Sequence, residues 1–393
     1  MSTVVKNESK ITYNEFLNPD SVFIPLYDDY DLLITNNDYV YKGQALEQKN
    51  NEYIYSPVSG RIIGAKTCVF SDNKKRQCIV ILNDYKEKTK KRIGKKRLDR
   101  SYKLNDIIDV LQKQNAISMS EVGVKLWEII FNAPVLLINA IELDENIFTN
   151  SFIFTHHMSD ILDTIDFLGD IIGAKNIILA IANSDTENIA NLSEFLGTYP
   201  KIKLKIMNGK YPMGLKRVLK SELFPRIEPN NIVFLGLADI LAIYSVIVRN
   251  KVVSERYITI TGNAIVSPSV IYTKIGALVK PIIASFVKLN ISDSIYITNS
   301  LIGGNNVDID ELVVTHDLSA VIINTPKENT VKSCINCGKC HEVCPVKLNP
   351  KYIMENIDNP DKMQKAKKDK CINCGLCTNI CSANINLKEY LNK

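Results

Sequence analysis

The sequence predicts a multidomain chain of mixed α/β and α+β class, with its parts strung in order along the chain. Three observations carry this expectation. Residues 21 to 82 alternate apolar and polar positions between tight turns, residues 101 to 250 alternate short apolar runs with helical segments, and the last 60 residues hold eight of the ten cysteines in two equal runs. With 393 residues, 46% of them hydrophobic, the chain can bury several cores.

The first segment, MSTVVKNESKITYNEF, has no basic start followed by an apolar core, so no secretory signal is expected. Residues 1–20 read as an N-terminal tail. Residues 21–85 then read as short strands, with Gly43 and Gly60 at the turns and a small core of alternating apolar residues. The elements DYVYKGQ and SPVSGRI are similar to those of barrel-sandwich hybrid (biotinyl- or lipoyl-like) domains. Lys49 lies near a turn but lacks the flanking pattern of a carrier lysine, so a docking or structural role is expected. Cys68 and Cys78 sit in an alternating, strand-like stretch and read as half-buried structural thiols.

Residues 86–100, KEKTKKRIGKKRLDR, hold nine Lys/Arg against two Asp/Glu, a local +7 that leaves −2 over the rest of a +5 chain. Such a run suits anionic lipid, nucleic acid or an acidic partner, but a solvated basic linker is the simpler reading. No aromatic-rich basic face or recognition motif accompanies it, so no nucleic-acid partner is expected.

From 101 to 250 the pattern becomes that of a Rossmann-like α/β layer. APVLLINA, NIILAIA, KLKIM and NIVFLG fit buried parallel strands, and DILDTIDFLGDIIG and TENIANLSEFLG fit helices between them. The apolar stretch Ile232 to Val248 is nearly long enough to span a bilayer, but it contains Asp239 and an early glycine. It reads as a strand followed by a buried helix, and no transmembrane segment is expected. Residues 251–325 then read strand–turn–strand–helix–strand, a small β-grasp (SLBB-like) unit.

Residues 326–393 carry the clearest chemistry. Cys334, Cys337, Cys340 and Cys344 follow C-x2-C-x2-C-x3-C before Pro345, and Cys371, Cys374, Cys377 and Cys381 repeat the spacing. This is the two-cluster ferredoxin-like pattern, in which the fourth cysteine of each run ligates the other cluster. The expected sets are Cys334, Cys337, Cys340 with Cys381, and Cys371, Cys374, Cys377 with Cys344, each holding one [4Fe-4S] cluster. Zinc sites use four ligands in paired knuckles and fit this spacing poorly. Gly338 and Gly375 let the backbone approach each cluster. His341 reads as surface. Ser382 stands where proline usually follows the last cysteine and restores an N–H, a source of hydrogen bonding to sulfur that would raise that cluster's potential.

The whole order resembles the RnfC family, which belongs to the Rnf ion-translocating electron-transport complex. The likeness rests on CINCGKCHEVCP and CINCGLC, on YITITGNAI and KYPMG, and on DYVYKGQ with SPVSGRI. Relatives of this layout include the flavin- and NADH-binding subunit of respiratory complex I and proline-reductase-associated electron-transfer proteins. The resemblance implies a cytoplasmic chain docking on membrane partners, peripheral at the inner face of the cell membrane, and an FMN/NADH site in residues 101–250. That site departs from the family. The glycine-rich loop is replaced by SMSEVGVKLWE, with only Gly123, with β-branched Val122 and Val124, and with Glu121 where a phosphate belongs. Downstream, Asn139-Ala-Ile-Glu142-Leu-Asp144-Glu145 loses the family's Cys and Pro, and Lys216 replaces a glutamate. FMN and NADH binding is therefore expected to be lost or much weakened, with Gly123, Lys125, Glu142 and Asp144 as the residues of a relic or altered site. The leading expectation is an iron–sulfur electron-transfer protein passing electrons between redox partners without oxidising NADH. The alternatives are an FMN-containing NADH dehydrogenase subunit, an electron carrier to a soluble reductase such as proline reductase, and a scaffold with structural clusters.

Overall fold

A computed structural model describes residues 11–89, 98, 101–228, 231–291, 293–326 and 330–392. Most of the expected basic linker 86–100 therefore lies outside the described residues.

The alternating N-terminal segment forms two antiparallel sheets. One joins Ser21–Pro25, Lys75–Asn83, Gly60–Val69 and Tyr39–Val40, and the other joins Asp31–Leu32, Ala45–Lys49 and Glu52–Tyr55. Side chains of period two put Val22, Ile24, Leu46, Ile62, Ile79 and Ile81 into one core. Each such burial is worth roughly 1.5–3 kcal/mol relative to exposure. Gly60 is required where it stands, because a Cβ there would lie 2.0 Å from the Leu82 carbonyl oxygen. Lys49 pairs with Asp29 at the surface. Cys68 and Cys78 are both fully buried, beside Phe23, Phe70 and Val313.

The four apolar runs form a parallel sheet in the order Ile202–Met207, Asn176–Ala182, Val135–Asn139, Ile232–Gly236. Continuous burial of the two middle strands explains why they lack alternation. The helices Leu104–Lys113, Thr149–Ile171 and Leu237–Ile247 supply Ile107, Phe154, Ile161, Ile165 and Ile243 to the core on one face. Leu219, Met213 and Phe224 cover the other. The long helix kinks at His157, whose ring lies 2.9 Å from the Tyr257 hydroxyl. The stretch Ile232 to Val248 divides into a strand and a helix, and no described helix is long and apolar enough to cross a membrane.

A six-stranded mixed sheet follows, built on Glu255–Thr261, Ser269–Lys274, Ala320–Asn324, Ile295–Thr298 and Asn306–Val307, with the helix Val279–Phe286 packed into its core. Its sixth strand corrects the expectation of a tail at 1–20. Thr12–Phe16 pairs in parallel with Ser269–Lys274, Thr12 bonds Ser269 side chain to side chain at 2.6 Å, and Tyr13 stacks on Phe152. TYNEF is five residues long with one large apolar residue on each face, so the pattern is too weak to announce a strand whose partner lies 257 residues on. Charge also joins this sheet to the N-terminal pair. Lys274, buried, bonds Glu255 at 2.5 Å and Glu87 at 3.1 Å, and Glu87 takes Lys42 at 2.8 Å. The C-terminal residues form short helices around Leu348, Ile353, Ile385, Leu387 and Leu391.

Asp239 anchors the loop before the parallel sheet. Buried at the start of the helix Leu237–Ile247, it accepts the Gly236 N–H at 2.8 Å, the Met119 N–H at 2.7 Å and the Ser118 hydroxyl at 2.9 Å. Asp239→Ala orphans three buried donors and is expected to destabilise the chain by about 3 kcal/mol. Asp239→Asn should lose less, and chemical denaturation of the two variants checks the order.

Candidate functional site

The two cysteine runs adopt the same backbone. Asn336 and Asn373 both have φ of 56°, and Gly338 and Gly375 follow at 76° and 74°, each leading into one helical turn, Lys339–Glu342 and Leu376–Asn379. Left-handed residues at these steps turn successive N–H groups toward the loop's interior, the arrangement that binds sulfide and thiolate. Two such donors already reach sulfur: Leu348 N–H lies 3.2 Å from Cys344 Sγ and Asn373 N–H 3.3 Å from Cys371 Sγ.

The second loop is enclosed. Cys371, Cys374 and Cys377 line one cavity together with Cys344 from the first run, walled by Val346, Leu348 and Leu391. Burial pushes the Cys374 thiol up and the Cys377 thiol up to about 12. Thiols in such a place ionise when a metal takes the proton's position, so this donor set fits an iron–sulfur cluster. A zinc tetrahedron would draw its sulfurs to within about 3.8 Å of one another, and among the described residues no three metal-binding side chains converge for a single ion.

The first loop faces outward. Cys334 and Cys337 are exposed, as are Val331 at 70% and Ile335 at 68%. Cys340 lies near Cys334. The Lys339 N–H, with the Ser382 hydroxyl adding to it, holds the Cys337 thiol below its usual range, which puts the residue after Cys381 against this first loop. His341, exposed, bonds the Leu348 carbonyl through its ring and not a sulfur.

The second loop is docked on the rest of the chain. Tyr211 donates its hydroxyl to the Cys374 carbonyl at 2.5 Å, and Arg217 donates to the Lys370 carbonyl at 2.9 Å. Lys388 Nζ donates to the carbonyls of Gly303 and Gly304 at 2.8 and 3.0 Å. A Cβ on Gly375 would stand 2.3 Å from the Ile302 carbonyl oxygen. The Tyr211 and Lys388 contacts lie outside any motif; the Gly303-Gly304 pair is the one signal of them in the sequence.

The residues expected at a flavin site are split. Gly123, with φ of 65° and open space around it, lines a cleft with Lys125, Tyr27, Tyr30 and Thr315. Lys125 bonds Glu52 at 2.7 Å and lies over the Trp127 ring. Glu142 and Asp144 do not line that cleft. Glu142 accepts the N–H groups of Asn150 at 2.6 Å and Ser151 at 3.1 Å at the start of the helix Thr149–Ile171, and Asp144 accepts the Leu301 N–H at 2.9 Å. Strand order reverses between Val135–Asn139 and Ile232–Gly236, so the crevice beyond their carboxyl ends is where open parallel sheets bind ligands. The segment Ser118–Glu121 lies across it. Ser118 is held by Asp239, the Ser120 side chain packs on Gly236, and Glu121 pairs with Lys216 at 2.8 Å. The two unexpected charges, Glu121 and Lys216, neutralise each other.

Residues 5–86 match an RnfC barrel sandwich hybrid domain, residues 121–250 a Nuo51 FMN-binding domain, and residues 327–382 a 4Fe-4S dicluster domain. Similar relatives are the RnfC-type members of the ion-translocating oxidoreductase complexes of Buchnera aphidicola (25% identical, covering 89% of this chain and 78% of that protein), Salmonella arizonae (24%, 82% and 51%) and Vibrio cholerae (23%, 85% and 46%). The chain belongs to the RnfC family. It spans about three-quarters of the Buchnera relative and about half of the other two. Among solved structures, the NAD+-reducing [NiFe]-hydrogenase in its H2-reduced state shares the fold, with a TM-score of 0.51 at 9% identity over 75% of this chain and 61% of that one. Within the RnfC family frame, the N-terminal sheets are the barrel-sandwich domain and the cysteine runs the 4Fe-4S dicluster domain.

Gly375→Ala should cost more bound iron and more thermal stability than Gly338→Ala. Both force a side chain to positive φ, but only Gly375 faces a backbone carbonyl, and nothing lies within 4 Å of a Cβ on Gly338. Iron per chain and melting temperature check this. Burial pushes the Glu142 carboxyl up to about 8, opposed by the Ser151 and Asn150 N–H groups, against about 4.3 in an unfolded chain. Its contribution to stability is full below the unfolded value and is lost as pH rises through about 8. Glu142→Gln keeps an acceptor and should flatten that loss in melts between pH 5 and 9.

Proposed function

We propose that this chain is an RnfC-type iron–sulfur electron-transfer subunit that relays electrons between redox partners through two [4Fe-4S] clusters without oxidising NADH itself. Cys334, Cys337, Cys340 and Cys381 hold the outer cluster, and Cys371, Cys374, Cys377 and Cys344 hold the inner one. When bound, the clusters supply one-electron storage at two adjacent points. The exposed first loop offers the entry or exit for a soluble or membrane-bound partner. Tyr211, Arg217 and the Ile302–Gly304 loop fix the second loop against the body of the protein.

What supports this reading most is the contrast between two intact cysteine loops and a ligand crevice crossed by the chain's own Ser118–Glu121 segment. An ion pair between Glu121 and Lys216 stands where a flavin phosphate would need donors, and Glu121 would repel it. Gly123, Lys125, Glu142 and Asp144 accordingly act as structural residues: Lys125 ties residues 101–250 to the N-terminal sheets, and Asp144 orients the loop beneath the inner cluster. In this reading residues 101–250 are a Rossmann-like domain, residues 251–325 an SLBB-like β-grasp domain extended by the strand Thr12–Phe16, and residues 326–393 the ferredoxin-like domain. Partners are other members of a membrane electron-transport complex, with the chain peripheral at the cytoplasmic face. The match of residues 121–250 to an FMN-binding domain favours one alternative, an FMN-containing NADH dehydrogenase subunit.

Anaerobic purification should yield a brown chain with about eight irons and far less than one FMN, reducible by dithionite but not by NADH. One FMN per chain bleached by NADH would establish the alternative, and a colourless or zinc-containing chain would defeat both.

A further inference from the structure

We infer that Lys388 tunes the inner cluster, raising its affinity for an electron above that of the outer one. The inference rests on the proposed cluster reading and adds an order to the two centres. Lys388 shares its cavity with Cys344, Cys371, Cys374 and Cys377, and it is the one cationic side chain lining that cavity among the described residues. Its position is fixed at both ends. The backbone N–H bonds Thr378 Oγ1 at 2.8 Å, and Nζ donates to the carbonyls of Gly303 at 2.8 Å and Gly304 at 3.0 Å. Two of the ammonium's three donors are taken this way, which leaves one for the cavity. The side chain is half-buried, and its charge interacts with Cys374, Cys371 and Cys377.

The physical consequence follows from sign and dielectric. Reducing a thiolate-bound cluster adds one negative charge inside the cavity. A cation held beside that cavity, partly out of water, stabilises the reduced form more than the oxidised form. Among the described residues no carboxylate lines the cavity to cancel it. The outer loop lacks a matching device: Lys332 and Lys339, its nearest lysines in sequence, are exposed and screened by water and salt. The Lys388 ammonium also ties helix Leu387–Asn392 to Gly303 and Gly304, so charge and docking must be separated experimentally.

Potentiometric titration of the full chain, purified anaerobically and followed by electron paramagnetic resonance, makes that separation with Lys388→Gln and Lys388→Arg. Lys388→Gln should lower the reduced-to-oxidised ratio of one centre about tenfold at a given potential, a downward shift of about 59 mV for one electron. The other centre should stay where it is, and Lys388→Arg should leave both near their wild-type positions. With eight irons present, an unmoved pair of waves in Lys388→Gln would overturn the assignment. An equal shift in Lys388→Arg would also overturn it, because the lost geometry and not the charge would then be responsible. A wild-type chain without iron would instead overturn the cluster reading beneath it.

Discussion

The close approach of Gly375 to the Ile302 carbonyl is the constraint on which the arrangement of this protein turns. A loop with a side chain at that position could not seat against the six-stranded sheet's Ile302–Gly304 turn. Once seated, it is bonded from two directions, by Tyr211 from the parallel-sheet unit and by Lys388 across to Gly303 and Gly304. Asp144 braces the same turn from behind by accepting the Leu301 N–H. A small group of polar contacts thus fixes the inner cysteine loop to two separately folded layers. Electron transfer depends on fixed short separations, so rigidity at this contact bears directly on function.

The parallel-sheet unit keeps the geometry of a ligand-binding layer while its crevice has been put to another use. Strand order still reverses beside Val135–Asn139, and the segment Ser118–Glu121 still runs across the carboxyl ends of the strands. Its bonds now go inward, to Asp239 and Lys216. Buried donors that a bound phosphate would satisfy are satisfied by side chains of the protein itself. The layer then works as a platform: Tyr211 and Arg217, both from its surface, hold the inner cysteine loop.

Much of this is legible in the sequence, and the boundary of legibility has a physical cause. The cysteine spacing encodes local loop geometry, and both runs take up the same positive-φ steps at Asn336, Gly338, Asn373 and Gly375. The four buried parallel strands are visible as apolar runs because each is covered on one or both faces. Thr12–Phe16 reads as tail because a five-residue edge strand buries too little to leave a pattern. Glu121 and Lys216 each stand out as a departure, but their pairing does not, since 95 residues separate them. Tyr211 and Cys374 are 163 residues apart and Lys388 and Gly303 are 85, and no local period reports contacts of that kind.

Two clusters side by side, with Cys344 and Cys381 each crossing to the other's loop, would leave a magnetic signature. It is read in the electron paramagnetic resonance spectrum of the fully reduced chain. Two adjacent paramagnetic centres should give a broadened, interacting spectrum integrating to two spins per chain, which sharpens to one isolated centre on partial reduction. A fully reduced chain with one spin and no interaction would contradict the paired arrangement.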